Sequence, residues 1–131
     1  MQVPPRVFNE LFKEWDDALS KVQPHISCPE GEAFCTSDLP CKEIETKVPP
    51  VGIVLSGTTF ILPPKTYLFQ VNDGKCYFIL SECKLGGKNK DIYILGAAFL
   101  QHFYSAYDFD NNNIMLGINT HSNAGVKIFD G

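Results

Sequence analysis

The sequence predicts a mainly β domain carrying two short helices, and three observations lead there. From Val51 onward the chain breaks into short β-branched and aromatic runs punctuated by Gly, Pro, Asn and Asp. Only the first twenty or so residues show the three- and four-residue spacing of an amphipathic helix. At 131 residues and 44% hydrophobic, with ten Phe, five Tyr and one Trp, the chain has the apolar content for one real core and too little length for two domains.

Taken in order, Pro4 and Pro5 suit the first turn of a helix, where a missing N–H loses nothing and φ is already helical. Phe8, Leu11, Phe12, Trp15, Leu19 and Val22 then line one face, opposite Glu10, Lys13, Glu14, Asp16, Asp17 and Lys21. The spacing predicts a helix of about 16 residues ended by Pro24, its aromatic stripe serving as core. Residues 24–50 are rich in Pro, hold three Cys and lack apolar periodicity, so they read as a loop stapled by disulfides. Strands are expected at Gly52–Leu55, Thr58–Leu62, Tyr67–Val71 and Cys76–Leu80, with turns at Ser56-Gly57, Pro63-Pro64 and Asn72-Asp73-Gly74. Lys84–Lys90, with paired Gly and three Lys, reads as a mobile surface loop. Ile92–Leu95 is expected as a strand and Ala97–Phe103 as the second short helix. Tyr104–Tyr107 is expected as a strand leading into the polar turn Asp108–Asn113, and a further strand follows at Ile114–Ile118. Val126–Phe129 forms a last edge strand after a polar stretch from Asn119.

Eleven basic against fifteen acidic residues leave a net charge of −4 without a basic run, which argues against nucleic acid as a partner. No apolar stretch approaches the roughly 18 residues a membrane helix needs. Five cysteines, Cys28, Cys35, Cys41, Cys76 and Cys83, suggest an oxidising compartment, yet Met1-Gln-Val-Pro-Pro has neither the basic nor the apolar part of a signal peptide. Together these predict a piece of a longer secretory-pathway protein, extracellular or in a lysosome- or vacuole-like compartment.

Candidate chemistry is sparse. Asp108, Asp110 and Asn112 imitate the first ligands of a calcium loop, but Asn113 replaces the required Gly and Asn119 the closing Glu, so a structural turn is expected. No C-x-x-C pair and no ligand spacing among His25, His102 and His121 point to zinc, and nothing local marks a cysteine as an activated nucleophile. No metal or cofactor is expected.

The run Ile94-Leu-Gly-Ala-Ala-Phe-Leu-Gln-His-Phe-Tyr-Ser-Ala-Tyr-Asp-Phe-Asp-Asn-Asn-Asn-Ile-Met-Leu-Gly117 resembles the C-terminal signature of pepsin-like aspartic proteases. Val48-Pro-Pro-Val-Gly-Ile-Val-Leu-Ser-Gly-Thr-Thr-Phe-Ile-Leu-Pro-Pro-Lys-Thr-Tyr-Leu68 is similar to the family's strand, Gly turn, strand and Leu-Pro-Pro segment. Val3-Pro-Pro-Arg-Val-Phe-Asn-Glu-Leu11 resembles the stretch after its second catalytic loop. Residues 3–118 are covered, leaving 119–131 as a polar tail. The resemblance implies one partial domain over 1–131: the C-terminal lobe of the β-barrel acid-protease fold. It further implies a disulfide between Cys41 and Cys76, leaving Cys28, Cys35 and Cys83 with one thiol over, free or bonded elsewhere. Ala97 departs from the family, which usually carries Asp there.

Catalysis of this kind takes two carboxylates about 3 Å apart sharing one proton, each from an Asp-Thr/Ser-Gly loop. The 131 residues contain no such triplet. Leu55-Ser-Gly-Thr-Thr59 comes near one, but Leu does not ionise, and Ser56-Gly57 reads as a hairpin turn. No catalytic residue is therefore expected. The resemblance implies positioning residues instead: Ile94, Leu95 and Gly96 packing against the catalytic loop, and Tyr77 and Ile79 approaching the substrate cleft. The expected function is that of one chain or fragment of an aspartic endopeptidase, inactive alone, acting on a peptide or protein once an N-terminal lobe completes it. The alternative is a non-catalytic binding or structural subunit. Either way a protein partner should cover the missing lobe's seat, and part of the Phe8, Leu11, Trp15 stripe is a candidate for that exposed surface.

Overall fold

The computed structural model describes residues 1–20, 26–28, 34–83 and 92–130. The expected end of the first helix at Pro24 and the Lys84–Lys90 loop lie outside the described residues.

The order is β1 (Gln2–Val3), α1 (Pro5–Leu19), β2 (Cys35–Ser37), α2 (Cys41–Ile44), β3 (Val51–Leu55) and β4 (Thr58–Leu62). A 3-10 turn (Pro64–Thr66), β5 (Leu68–Gln70), β6 (Cys76–Phe78) and β7 (Ser81–Glu82) follow, then α3 (Ala97–Leu100), β8 (Phe103–Asp108), β9 (Asn113–Ile118) and β10 (Lys127–Asp130). Short strands dominate, making the fold mainly β. Two antiparallel three-stranded sheets, β10-β4-β3 and β2-β6-β5, sit with the β8-β9 hairpin and a parallel β1-β7 pair.

Helix α1 starts where the prolines put it, with Pro5 in its first turn and the Phe8 N–H donating to the Pro4 carbonyl at 2.9 Å. Its stripe seats Trp15 and Leu19 fully in the core, with Phe8, Leu11 and Phe12 half-buried against it. Trp15 lies over Tyr67 at 5.5 Å between ring centroids and against Phe78 at 4.8 Å. A second aromatic group, Phe60, Phe99 and Phe103, joins β4 to α3 and β8, with centroids 4.8–6.0 Å apart. Burial holds the Tyr67 phenol well above its ordinary range, and its hydroxyl donates to the Pro49 carbonyl at 2.6 Å.

The β3-β4 connection is the two-residue hairpin that Ser-Gly suggests. Leu55 pairs with Thr58, and Ser56 and Gly57 both have positive φ, 50° and 81°. A Cβ on Gly57 would touch nothing within 4 Å, so Gly57→Ala isolates the backbone term. It should cost about 1–2 kcal/mol, read as a lower urea midpoint at unchanged slope.

Several elements differ from the sequence-based reading. Three α-helices form among the described residues, not two, because residues 41–44 coil into α2 behind Pro40 within the stretch read as loop, and β2 forms there as well. Ile92–Leu95 is not a strand: Ile94 alone makes a bridge, with Gln2, since β1 offers only two residues for pairing. The second predicted helix stops at Leu100, because Phe103 turns inward to the Phe60 cluster and opens β8. Tyr104–Tyr107, expected as a strand, is the body of β8, which extends one residue further at each end and is held by its register with β9 from Phe103↔Ile118 to Asp108↔Asn113. The expected turn between them stands, with the Asn111 amide donating to Asp108 Oδ2 at 2.8 Å and Asn112 at φ 52°. Those bonds from Asn111 hold the Asp108 carboxyl below its ordinary value.

Candidate substrate-cleft wall

The segment 93–96 runs between two hollows, the larger of mixed polar and apolar lining and the smaller mainly apolar. The larger, about 850 Å³, lies among the β3-β4 turn (Leu55, Ser56, Thr58), α3 (Phe99, Leu100) and the β8-β9 turn, with Leu95 on its wall. The smaller, about 240 Å³, is lined by Val3, Val7, Leu11, the β3 residues and Tyr93. Leu55 borders both. No carboxylate, imidazole or thiol lines either among the described residues. Their apolar lining can take up side chains of a bound ligand.

Ile94 is two-fifths exposed, with its backbone locked to Gln2 by N–H···O bonds of 2.9 Å in both directions. Gly96 precedes α3, and its carbonyl accepts from the Phe99 and Leu100 N–H groups at 3.0 and 2.9 Å. Ile79 is packed on the core, its N–H donating to the Tyr67 carbonyl at 2.8 Å and its carbonyl accepting from Met1 at 3.2 Å. Ile79 and Ile94 thus meet around residues 1–3. Tyr77 stands apart: from the middle of β6 its hydroxyl donates to Asp73 Oδ2 at 3.2 Å, which ties it to the 72–74 turn.

Cys41 is bonded to Cys76 and Cys28 to Cys35, leaving Cys83 as a buried free thiol. The first bridge clamps α2 onto β6, where the Cys41 N–H also donates to Gln70 Oε1 at 2.8 Å. The groove residues Leu55, Phe99, Tyr107 and Met115 were not recognisable as a set in the sequence, since folding sets β3 against the α3-β8-β9 stretch to bring them together.

Comparison with known proteins places this arrangement. The eukaryotic aspartyl protease profile matches residues 11–118, most of the chain, and the protein belongs to that family. It is of the pepsin-like kind. Human (Homo sapiens) gastricsin is 33% identical over 75 residues, covering 56% of this chain and 19% of its own length. Mouse (Mus musculus) gastricsin is 29% identical over 115 residues, 87% of this chain and 26% of its own. Bovine (Bos taurus) pepsin A is 28% identical over 102 residues, 76% and 26% respectively. The chain therefore spans about a fifth to a quarter of the length of the relatives it matches. Among the described residues no helix is long and apolar enough to cross a membrane.

Proposed function

We propose that this chain is the C-terminal wall of a pepsin-like aspartic endopeptidase whose two catalytic aspartates come from outside these 131 residues. The observation that carries the reading is the family match over residues 11–118 in a chain without an Asp-Thr/Ser-Gly triplet. In this reading Ile94, Leu95 and Gly96 form the wall behind the carboxylate dyad. The two hollows receive substrate side chains, and Ile79, just beyond β6, steadies the wall through residues 1–3. The dyad shares one proton, one carboxylate activating water and the other protonating the peptide carbonyl, which sets an acidic working pH. The substrate is a peptide or unfolded protein. Two disulfides favour an extracellular or secretory-pathway setting.

A completing lobe needs a seat, and the exposed apolar residues favour the β8-β9 hairpin for it. Tyr104 and Phe109, which line neither hollow, are each more than half exposed there. The alternative seat on α1 fares worse, because Trp15 is fully buried and Phe8 and Leu11 are half covered.

The test is the native protein purified without reductant. The expected result is an intact mass above the 14.6 kDa of this chain, together with cleavage of an unfolded protein at acidic pH. A species of that mass alone, stable and without cleavage, would overturn the proposal in favour of a non-catalytic binding or structural subunit.

A further inference from the structure

A polar hollow of about 430 Å³ lies away from the cleft wall, between the 3-10 turn, the end of α3 and the 119–126 segment that joins β9 to β10. Its centre is His102. The imidazole Nδ1 is 2.7 Å from Ser122 Oγ, and that same oxygen accepts from the Ala124 N–H at 3.4 Å. The backbone is tied at the same place, with the Asn119 N–H donating to the His102 carbonyl at 3.0 Å. The other ring nitrogen, Nε2, is closed to solvent and has no partner among the described residues.

The charged group that shares this hollow is cationic. Lys65, from the 3-10 turn, donates its Nζ to the Asn123 carbonyl, and His121 stands on the segment itself. No carboxylate lines the hollow among the described residues. A neutral ring fits here with one bond and one unsatisfied nitrogen. A protonated ring would put a second N–H donor at Nε2, which has no partner to accept from it, and a positive charge in the hollow that Lys65 also lines.

We propose that His102 is an acid-sensitive latch: neutral, it holds the 119–126 segment closed through Ser122, and protonation opens that segment and loosens β10 from β4. Burial lowers the His102 pKa, in keeping with this geometry. A base whose folded value lies below its unfolded value of about 6.5 binds fewer protons when folded. Its contribution is present above that pH and is lost as pH falls from there toward the folded value.

Hydrogen exchange of the intact protein, corrected for intrinsic rates, tests this at about pH 7.5 and about pH 5. Protection at Asn119, Ser122, Ala124 and the β10 amides should fall about tenfold or more at the lower pH, while the β3-β4 amides hold theirs. His102→Gln, which keeps a hydrogen-bonding side chain but does not titrate, should remove the difference, and Lys65→Gln should shrink it. Equal protection of the wild-type segment at both pH values would overturn the proposal, as would an undiminished loss in His102→Gln. Should that variant not fold, imidazole titration by NMR decides: His102 should titrate below the ordinary imidazole value of about 6.5, and a midpoint at or above it sinks the latch.

Discussion

Trp15→Ala should destabilise the protein by about 3–5 kcal/mol, the largest loss expected from a single truncation in the chain. The indole is fully buried, lies over Tyr67, packs on Phe78 and meets Phe8 edge-on at 6.3 Å. It is therefore the main bolt between α1 and the β2-β6-β5 sheet. Removing it leaves a cavity that a helix docked on β-sheet has little freedom to close, so the transfer and void terms add. Thermal melts followed by circular dichroism should shift down by roughly 10–20 °C, given about 3–5 °C per kcal/mol at this size. Trp15→Phe should lose less than half as much, because the ring contacts with Tyr67 and Phe78 survive in part. A loss under about 1 kcal/mol for the Ala variant would mean that α1 is not seated on this core. Trp15 is the only tryptophan. Its fluorescence therefore reports this interface directly in every other variant.

Removing the Cys41–Cys76 bridge as the double variant Cys41→Ala/Cys76→Ala should cost about 3–4 kcal/mol. The estimate rests on loop closure: the bridge spans 35 positions, whereas Cys28–Cys35 spans only 7 and should be worth about 2–2.5 kcal/mol by the same relation. The local frame limits any further loss, since Ser37 still pairs with Cys76's position on β6 and the residue 41 N–H still reaches Gln70. Guanidinium unfolding of the two double variants, each free of unpaired new thiols, should rank them in that order. If the Cys28–Cys35 pair proved the costlier loss, the long loop between α2 and β6 would have to be ordered already in the unfolded chain.

What could be read from the residues alone depended on how local the determinant is. Helix α1 was legible because Pro5 and the Phe8-to-Leu19 stripe lie within one stretch. The β3-β4 hairpin was legible because Ser56-Gly57 specify a turn of two positive φ values. Strands β1 and β7, two residues each, carry no pattern of their own and exist only through each other. Ile92–Leu95 looked like a strand by composition, yet its pairing was limited by the length of β1. The strand at Tyr104–Tyr107 was legible before its polar turn, whereas its start at Phe103 was not, because that residue continued the apolar run read as helix. The Ile94-Leu95-Gly96 wall was accessible through family resemblance. The hollows beside it were not, since Leu55, Leu95, Met115 and Ile128 are brought together by folding alone.

The seating of β1 has a kinetic consequence. Residues 1–3 are threaded between two distant neighbours: Gln2 exchanges both backbone bonds with Ile94, while Met1 and Val3 accept from Ser81 and Cys83. Every one of those bonds closes a loop of some 80 to 90 positions, whereas the β3-β4 and β8-β9 hairpins close over a few. Pairings of such long range pay their closure entropy before they return any enthalpy, so they form after the hairpins and the Trp15 core are in place. The stretch that carries Ile94, Leu95 and Gly96 is then among the last parts of the chain to reach its final position. Conditions that slow the late steps of folding would yield molecules with a finished core and an unfinished wall.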